Sequence, residues 1–589
     1  MISGAARYFP ILDWARRYDR PTLGADLLAA GIVTIMLIPQ SLAYATLAGL
    51  PPQMGLYASV APLLVYAVFG TSRAMAIGPV AVISLMTASA ASRIGPQGSP
   101  DYIGAALILA MLCGLMTLLM GLLRLGALAK LLSNPVVNGF TIASSVIIAA
   151  SQLGPLLGIA TPGQTITNIS INFAAHVQGT NGPTATIGIL ATAFLFWVRK
   201  GFKPLLVKIG LPKGAADVIA KAGPILAIAL TTAAVVSLDL EAQGVRIVGD
   251  IPKGLPTPAF PSEPASRWIE LLMPALFISI IGFVSSISVA QTLAAKRRQK
   301  VDPSQEMIAL GVSNVAAAVT GAFPVTGGFA RSVVNFDAGA QTPAAGAYTA
   351  LGIAIAALLL TPLLYHLPIA TLAATIIVAV LSLVNIREVI DIWRYSKNDF
   401  AAMAATIIAT LFVGVEVGLA IGVALSVLLY LYRSSEPHVA VVGQVPGTQH
   451  FRNVLRHSVV TSPEVITLRI DESLTFTNAS WLESKVMGLI GNQRQVKHVI
   501  LMFSAVNAVD ASALESLMSL NLRLQTAGID LHLSEVKGPV MDRLERSTFL
   551  QALTGRIFLS QYDAFRTLAP KACDALPPDT FHNTDGAGI

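Results

Sequence analysis

The sequence predicts a polytopic α-helical membrane protein with a small α/β domain after its last membrane segment. Of its 589 residues, 54% are hydrophobic and only 12% are charged, and the mean hydropathy is +0.68. This balance is typical of a chain that crosses a membrane many times. Two of the apolar stretches are interrupted by glycine and proline, and the composition changes after Pro437.

The apolar stretches divide into about fourteen segments, two of which are half-helices. The first begins near Asp26 and contains Pro39 and Gln40 in the middle of its span. Lengths of about twenty residues fit the thickness of a bilayer, and the shorter segments require partners inside the protein. The predicted segments are 26–50, 54–70, the half-helix after Gly78, 102–123, 133–153, 185–199, 222–238, 269–295, 305–321, the half-helix at Gly327, 344–366, 369–385, 399–415 and 417–433.

Loop charges predict the orientation of these segments. The even-numbered loops hold most of the lysines and arginines, whereas residues 154–184 contain none. Because cytoplasmic loops are enriched in lysine and arginine, both termini are predicted to be cytoplasmic. No cleavable signal peptide is evident in residues 1–25, the predicted cytoplasmic N-terminus, and the transport domain is predicted to cover residues 26–434.

The two interrupted segments are the strongest functional feature of the sequence. Residues 72–84 contain Gly78 and Pro79, and residues 321–335 contain a proline, two adjacent glycines and Arg331. Irregular backbone at membrane depth is tolerated where it is buried in protein or lines a water-filled cavity. A half-helix that starts there directs unpaired N–H groups into the cavity and forms an anion site. Two such segments indicate an inverted-repeat transporter, and the alternative is a pair of kinked packing helices.

A soluble domain is predicted for residues 437–570. Strands at 465–470, 496–503 and 529–534 alternate with helices at 479–489, 512–526 and 539–546, a pattern typical of an α/β fold. Residues 574–589 are rich in proline, aspartate and glycine, and we predict a disordered tail there.

Other classes of protein are disfavoured by the same sequence. The net charge of +7 arises from basic residues in the loops, so no nucleic-acid partner is predicted. The two cysteines provide no disulfide framework. The apolar region contains no metal-binding cluster of histidines and acids, no nucleophile–base pair and no phosphate loop. We therefore predict that the protein is not an enzyme and needs no metal or cofactor.

Several motifs resemble those of the SulP/SLC26 family of sulfate permeases and anion transporters. The chain from 437 to about 570 is similar to the STAS domain of that family. The membrane motifs that carry the resemblance are IPQSLAYATLAGLPP (38–52), GLY (55–57), GTSR (70–73), IGPVAVIS (77–84), LSNPVVNGF (132–140), FPVTGGFARSVVN (323–335) and AGAQT (338–342).

The resemblance implies two inverted repeats of seven segments, which form a core domain that moves against a gate domain. It also implies a homodimer and an anion bound between the N-termini of the third and tenth segments. On this basis sulfate is the first choice of substrate, carried by alternating access across the plasma (inner) membrane. The implied site residues are Gln40, Tyr44, Gly78, Pro79, Val80, Ala81, Gly327, Gly328, Phe329, Ala330 and Arg331.

Three positions depart from the family pattern. Ser285 and Gln40 stand where proton-linked or sodium-linked relatives have carboxylates, which favours exchange or uniport over proton symport. Ala330 replaces a serine that is often found before the arginine and removes one hydroxyl donor. Bicarbonate, chloride or a dicarboxylate therefore remains open as the cargo, as do a passive anion channel and a sensor that binds without flux.

The soluble domain contains one further motif, VNAVDASAL at residues 506–514. It resembles the loop of bacterial anti-sigma-factor antagonists in which the serine that matches Ser512 is phosphorylated. The favoured interpretation is that Asp510 caps a helix and Ser512 is an ordinary residue of its first turn. A regulatory role for both residues and an unidentified cytoplasmic partner remain open.

Overall fold

The computed structural model describes residues 8–126, 133–212, 216, 219, 220, 223–250, 254, 255, 258, 260, 261, 264–491 and 495–574. The chain forms two compact units, Met1–Ser426 and Val427–Ile589. Most of the predicted tail, 574–589, lies outside the described residues.

The first unit is built from helices of very different lengths. The following bounds were found: α1 Ile11–Trp14, α2 Arg20–Leu47, α3 Pro52–Tyr57, α4 Ala61–Phe69, α5 Ala81–Ala91, α6 Pro100–Leu122, α7 Asn134–Ser151, α8 Leu153–Leu157, α9 Ile166–His176, α10 Gly182–Trp197, α11 Lys203–Lys208, α12 Gly223–Ser237, α13 Ala265–Glu270, α14 Leu272–Lys296, α15 Pro303–Val319, α16 Phe329–Asp337, α17 Ala344–Leu359, α18 Ile369–Leu381, α19 Ile386–Tyr395, α20 Lys397–Phe412 and α21 Val415–Ser435. Two short strands, β1 Ile77–Gly78 and β2 Thr326–Gly327, precede α5 and α16.

Each of the fourteen predicted segments coincides with a helix or a pair of helices. Eight spans in the described residues are long and apolar enough to cross a membrane, and α5, α12 and α17 are shorter apolar helices. Helix α2, which forms the first predicted segment, starts at Arg20, before the predicted position near Asp26, because the Asp19 side chain accepts a hydrogen bond from the Thr22 N–H at 2.9 Å. An N-cap of this kind fixes the start of a helix.

Close helix packing forms the centre of this unit. Helix α15 lies along α6, and glycines lie at the contact. A Cβ added to Gly114 would be 2.6 Å from the Val315 backbone nitrogen, and one added to Gly311 would be 2.5 Å from the Leu118 nitrogen. Small residues allow membrane helices to approach to this distance.

The second unit contains a six-stranded sheet with helices on both faces. Strands β5 to β8 are parallel, and β3 is antiparallel to both of its neighbours in the order β4-β3-β5-β6-β7-β8. The predicted strands and helices are confirmed, while β3, β4 and β8 were not predicted; β4 and β8 are short and form the two edges of the sheet. The elements are β3 Val439–Gln444, β4 Phe451–Asn453, β5 Val465–Ile470, α22 Ala479–Gly491, β6 His498–Met502, α23 Ala511–Thr526, β7 Asp530–Ser534, α24 Gly538–Leu544, α25 Phe549–Ala552, β8 Ile557–Phe558, α26 Gln561–Leu568 and α27 Pro570–Asp574.

Candidate anion-binding site

The two half-helices begin at the same place in the molecule. Strands β1 and β2 pair in antiparallel fashion, with Ile77 opposite Gly327 and Gly78 opposite Thr326. Helix α5 follows β1 with Val80 as its N-cap, and α16 follows β2 with Gly328 as its N-cap. Neither N-cap side chain donates or accepts a capping bond. The N–H groups of the first three residues of each helix therefore have no acceptor within their helix, and both positive dipole ends lie at the strand pair.

A hydrogen-bond network behind β2 fixes the position of this strand. The Gly327 N–H donates to Ser286 Oγ at 2.8 Å, the Ser286 and Thr326 hydroxyls are 2.7 Å apart, and Thr326 Oγ1 donates to the Gly282 carbonyl at 2.7 Å. The Gly328 N–H donates to the Ala76 carbonyl at 3.1 Å. The N–H groups of both glycines are thus occupied by protein acceptors, and the unpaired donors begin one residue later, at Phe329.

Arg331, the third residue of α16, is buried with 2% of its surface exposed. Neither of its terminal nitrogens has a hydrogen-bond partner among the described residues. Its guanidinium lies against two glycines, since a Cβ on Gly78 would be 3.0 Å from Nη1 and one on Gly328 would be 2.7 Å from Nε. Gly78 also has a φ of +155°, which disfavours other residues. A buried cation without an acceptor is costly, so this arrangement favours an anionic ligand.

These groups face a cavity of about 770 Å³. Ten of the eleven residues predicted for the anion site line it: Gln40, Tyr44, Pro79, Val80, Ala81, Gly327, Gly328, Phe329, Ala330 and Arg331. Gly78 is the exception and lies against the Arg331 guanidinium. Ser285 also lines the cavity, so both positions for which the family resemblance implies a carboxylate in ion-coupled members face it with neutral side chains. That the cavity binds an anion stays a prediction.

The other end of the cavity carries charge. Arg199, Lys203 and Glu388 line it, and the Asn138 side chain on α7 donates a hydrogen bond to the Glu388 carboxylate on α19. Arg199 Nη1 also donates to the Val378 carbonyl at 2.8 Å. Arg199, Lys203 and Glu388 belong to connections between membrane segments that the loop charges predict to be cytoplasmic.

Two buried carboxylates brace the half-helices from outside the cavity. Glu306 accepts hydrogen bonds from the Tyr66 hydroxyl at 2.8 Å, from the Thr71 N–H and hydroxyl, and from the Ser72 N–H at 3.0 Å. It therefore fixes the chain that enters β1 and α5.

Asp26 has the corresponding role after α16. It accepts from the Gln341 N–H at 2.6 Å, from the Thr342 N–H and hydroxyl, and from the Tyr18 hydroxyl at 3.2 Å. This carboxylate fixes the chain that leaves the second half-helix.

Sequence reasoning missed several members of the site. Val82 and Ile83 line the cavity and complete the three free N–H groups of α5. The rule that the first three residues of a helix lack acceptors would have identified them. The roles of Ser286, Asp26 and Glu306 depend on contacts between distant segments, and the sequence contains no local signal for them.

In the second unit, Asp510 is the N-cap of α23. Its Oδ1 accepts from the Ala513 N–H at 2.8 Å, and its Oδ2 accepts from the Phe476 N–H at 2.8 Å. Ser512 is exposed in the first turn of the same helix. The capping role proposed for Asp510 is thus present, and regulation through Ser512 stays a prediction.

One group of side chains in the described part of the chain has the spacing of metal ligands, namely His498, Asp530 and His532. His532 Nδ1 accepts the Arg556 N–H at 3.0 Å, and its Nε2 lies 3.2 Å from His498 Nδ1. Burial, followed by the adjacent His498, lowers the pKa of His532 to about 4, so this imidazole is neutral at pH 7 with its proton on Nε2. The hydrogen bonds account for the cluster, and they disfavour a metal because Nε2 is protonated.

Together, the half-helices that start at one strand pair, the buried guanidinium and the many apolar spans define a multi-pass integral membrane protein with a cavity between two helix N-termini. The chain belongs to the Sulfate permease family, whose profile matches residues 23–406, and a STAS domain profile matches residues 457–564.

Relatives and a solved structure agree with this assignment. The chloroplastic sulfate transporter 4.1 of Arabidopsis thaliana is 35% identical over 573 residues, which cover 94% of this chain and 82% of the relative. A probable sulfate transporter of Mycobacterium tuberculosis is 33% identical over 552 residues, covering 93% of this chain and 96% of the relative. A structure of SLC26A9 superposes with a TM-score of 0.87 at 24% identity and covers 96% of this chain and 93% of that one. The likeness confirms the predicted fold class, and the family is one of transporters and not of enzymes.

Proposed function

We propose that this protein is a secondary transporter of inorganic oxyanions, with sulfate as the first substrate, in the plasma (inner) membrane. The names of the plant and mycobacterial relatives support sulfate as the cargo. The protein works by alternating access, as a seven-plus-seven inverted repeat in which a core domain moves against a gate domain. It is a homodimer with both termini in the cytoplasm, where the STAS domain contacts a regulatory partner.

The observation that carries this proposal is the buried, unpartnered Arg331 guanidinium beside two helix N-termini. The first three residues of α5 and of α16 offer six N–H groups toward one cavity. An oxyanion has several acceptor oxygens and suits such a set of convergent donors. One guanidinium does not neutralise the full charge of a dianion, and only the helix dipoles stabilise the remainder. The ligand is therefore not held too tightly to be released.

The shape of the cavity supports an inward-open arrangement. The cavity extends from the half-helix starts to Arg199, Lys203 and Glu388, which lie in connections between membrane segments that are predicted to be cytoplasmic. Gln40 and Ser285 line it with neutral side chains, and Glu388 is the one carboxylate among the described lining residues, so the part of the cavity at the half-helix starts offers no carboxylate to take up a proton during transport. Sulfate exchange or uniport therefore fits the site better than proton symport.

The test is uptake of radiolabelled sulfate into proteoliposomes, with and without a pH gradient, by wild-type protein and two variants. Arg331→Ala is expected to reduce saturable uptake at least a hundredfold, because charge-assisted hydrogen bonds to a buried ion are strong. Arg16→Ala, which removes an exposed arginine from the N-terminal segment, is the matched control and is expected to transport normally.

Each other outcome has a definite meaning. Flux of bicarbonate, chloride or succinate without sulfate flux would retain the fold and reject the substrate. Dependence on the pH gradient would reject exchange or uniport in favour of proton symport. Currents far above the turnover of a carrier would identify a channel, and the absence of any anion flux from folded protein would reject the transporter.

A further inference from the structure

We propose that Glu388 sets the charge of the cavity so that a bound dianion can be released. This inference rests on the proposed function and assigns a charge-selecting residue to the same site. Glu388 is the one carboxylate among the described residues that line the cavity, and it is opposed by Arg199, Lys203 and Arg331. A fixed negative charge therefore lines the same cavity as the Arg331 guanidinium.

The Glu388 carboxylate is held in place by neighbouring amides. Asn138 on α7 donates to one of its oxygens, and Asn385 Nδ2 donates to the other at 3.5 Å. Both asparagines line the cavity as well. Because neutral amides hold the carboxylate, its negative charge is not cancelled by a direct ion pair with Arg199 or Lys203 and acts on the contents of the cavity.

Other charged groups near Glu388 lie outside the lining. Arg387 and Asp391 are on the same helix, and Lys397 and Asp399 begin α20, which packs against α19. Lys397 lies 3.3 Å from the centre of the Trp393 ring, and Arg387 and Asp391 are exposed to solvent. Exposed charges are screened by salt, so the lining residues dominate the potential inside the cavity.

The physical consequence depends on the charge of the anion. Coulomb energy is proportional to the product of two charges, so a fixed carboxylate destabilises a dianion twice as much as a monoanion at the same place. Removing it should strengthen sulfate binding and slow sulfate release. The change in affinity for a monoanion should be about the square root of the change for sulfate.

The experiment compares Glu388→Gln with wild-type protein in sulfate uptake by proteoliposomes. The glutamine retains an oxygen that can accept the bond from Asn138, so it removes charge with little change in shape. We expect the sulfate KM to fall about tenfold and the maximum rate to fall as well. Inhibition of sulfate uptake by nitrate, a monoanion, is expected to strengthen only about threefold, and both differences should shrink at high ionic strength.

Two further variants control the result. Asp391→Asn removes the same charge from the same helix outside the cavity and should leave the sulfate KM within twofold. Glu388→Asp keeps the charge and should retain a KM near that of wild type, so it tests the role of charge even if Glu388→Gln folds poorly.

An unchanged or raised sulfate KM in Glu388→Gln, or equal shifts for sulfate and nitrate, would overturn the inference. If nitrate does not compete, the sulfate KM and maximum rate decide alone. A wild-type protein without any anion flux would reject the proposed function instead, so the two failures are distinguishable.

Discussion

The two half-helices occupy matching places in the molecule, yet they contribute different chemistry. Helix α5, with Val80 as its N-cap, is buried and contains no charged residue, so it offers backbone N–H groups and no side-chain charge. Helix α16 places Arg331 in its first turn, and its other polar side chains support the opposite strand. Ser332 Oγ accepts the Ala76 N–H at 3.0 Å, and Asn335 Nδ2 donates to the Ala74 carbonyl at 3.1 Å.

This difference indicates a division of labour within one site. The first half-helix supplies backbone N–H groups and the positive end of its dipole. The second also supplies the charge of Arg331, and its Ser332 and Asn335 side chains fix the chain that leads into the first half-helix. We therefore expect anion affinity to depend more strongly on changes at the second half-helix. Changes at the first should alter stability with less effect on affinity.

The largest expected effects come from the two buried braces, Asp26 and Glu306. Replacing either by alanine leaves several buried donors without an acceptor and should lower the free energy of unfolding by about 3 kcal/mol. Asp26→Ala releases the exit of α16 and should also raise the sulfate KM, whereas Glu306→Ala, which releases the entry to α5, should affect KM less. Thermal unfolding in detergent and uptake kinetics measure the two quantities.

The amide variants Asp26→Asn and Glu306→Gln are the rescue controls. They should recover most of the stability, because the amide oxygen accepts the backbone N–H groups and the neighbouring hydroxyls can accept from the amide nitrogen. A larger KM effect from Glu306→Ala than from Asp26→Ala would contradict the division of labour.

The next largest effect is expected from substitutions at the two N-caps, Gly328 and Val80. A Cβ on Gly328 would lie 2.7 Å from Arg331 Nε and Nη2, so Gly328→Ala should displace the guanidinium. We expect about a tenfold loss of kcat/KM for sulfate, equivalent to about 1.4 kcal/mol. Val80→Ala truncates the other N-cap, of which the site uses only the backbone, and should cost less than twofold. Equal losses in the two variants would show that both half-helix starts are equally sensitive.

The smallest effect is expected on stability, from substitutions at the fourth residues of the half-helices, Ser84 and Ser332. Both are fully buried, but Ser332 accepts the Ala76 N–H, while the Ser84 hydroxyl has no hydrogen-bond partner in the described structure. Ser332→Ala should therefore lower stability by about 1 kcal/mol, and Ser84→Ala should be neutral or slightly stabilising. Thermal unfolding of the two variants side by side is the measurement, and a larger loss from Ser84→Ala would refute the assignment.

Much of the fold was predictable because membrane segments are selected by length and apolarity, which are local properties. Pro79 and the glycine pair at Gly327 also revealed both half-helices, since such residues interrupt a helix wherever they occur. The starting residue of α2 was less predictable, because it depends on a single cap at Asp19.

The sequence predicted the outline of the site, but the prediction lacked some of its hydrogen bonds and supporting residues. The motif around Arg331 identified the cation, and its spacing from Gly327 identified the start of the helix. It did not show that the Gly327 and Gly328 N–H groups are already bonded to Ser286 and Ala76. Those bonds join segments that are far apart in the chain, and no local pattern encodes such contacts.

The membrane class, the spans, the soluble α/β domain and the two half-helices were therefore predictable from composition and local breaks, and the STAS assignment came from the family resemblance. The tertiary structure was needed to show which N–H donors remain free and that Glu388 faces the cavity. It was also needed to show that Glu306 fixes the chain entering α5 and that Asp26 fixes the chain leaving α16. The physical reason is that a buried charge or N–H group is defined by the partner that reaches it, and these partners come from distant parts of the chain.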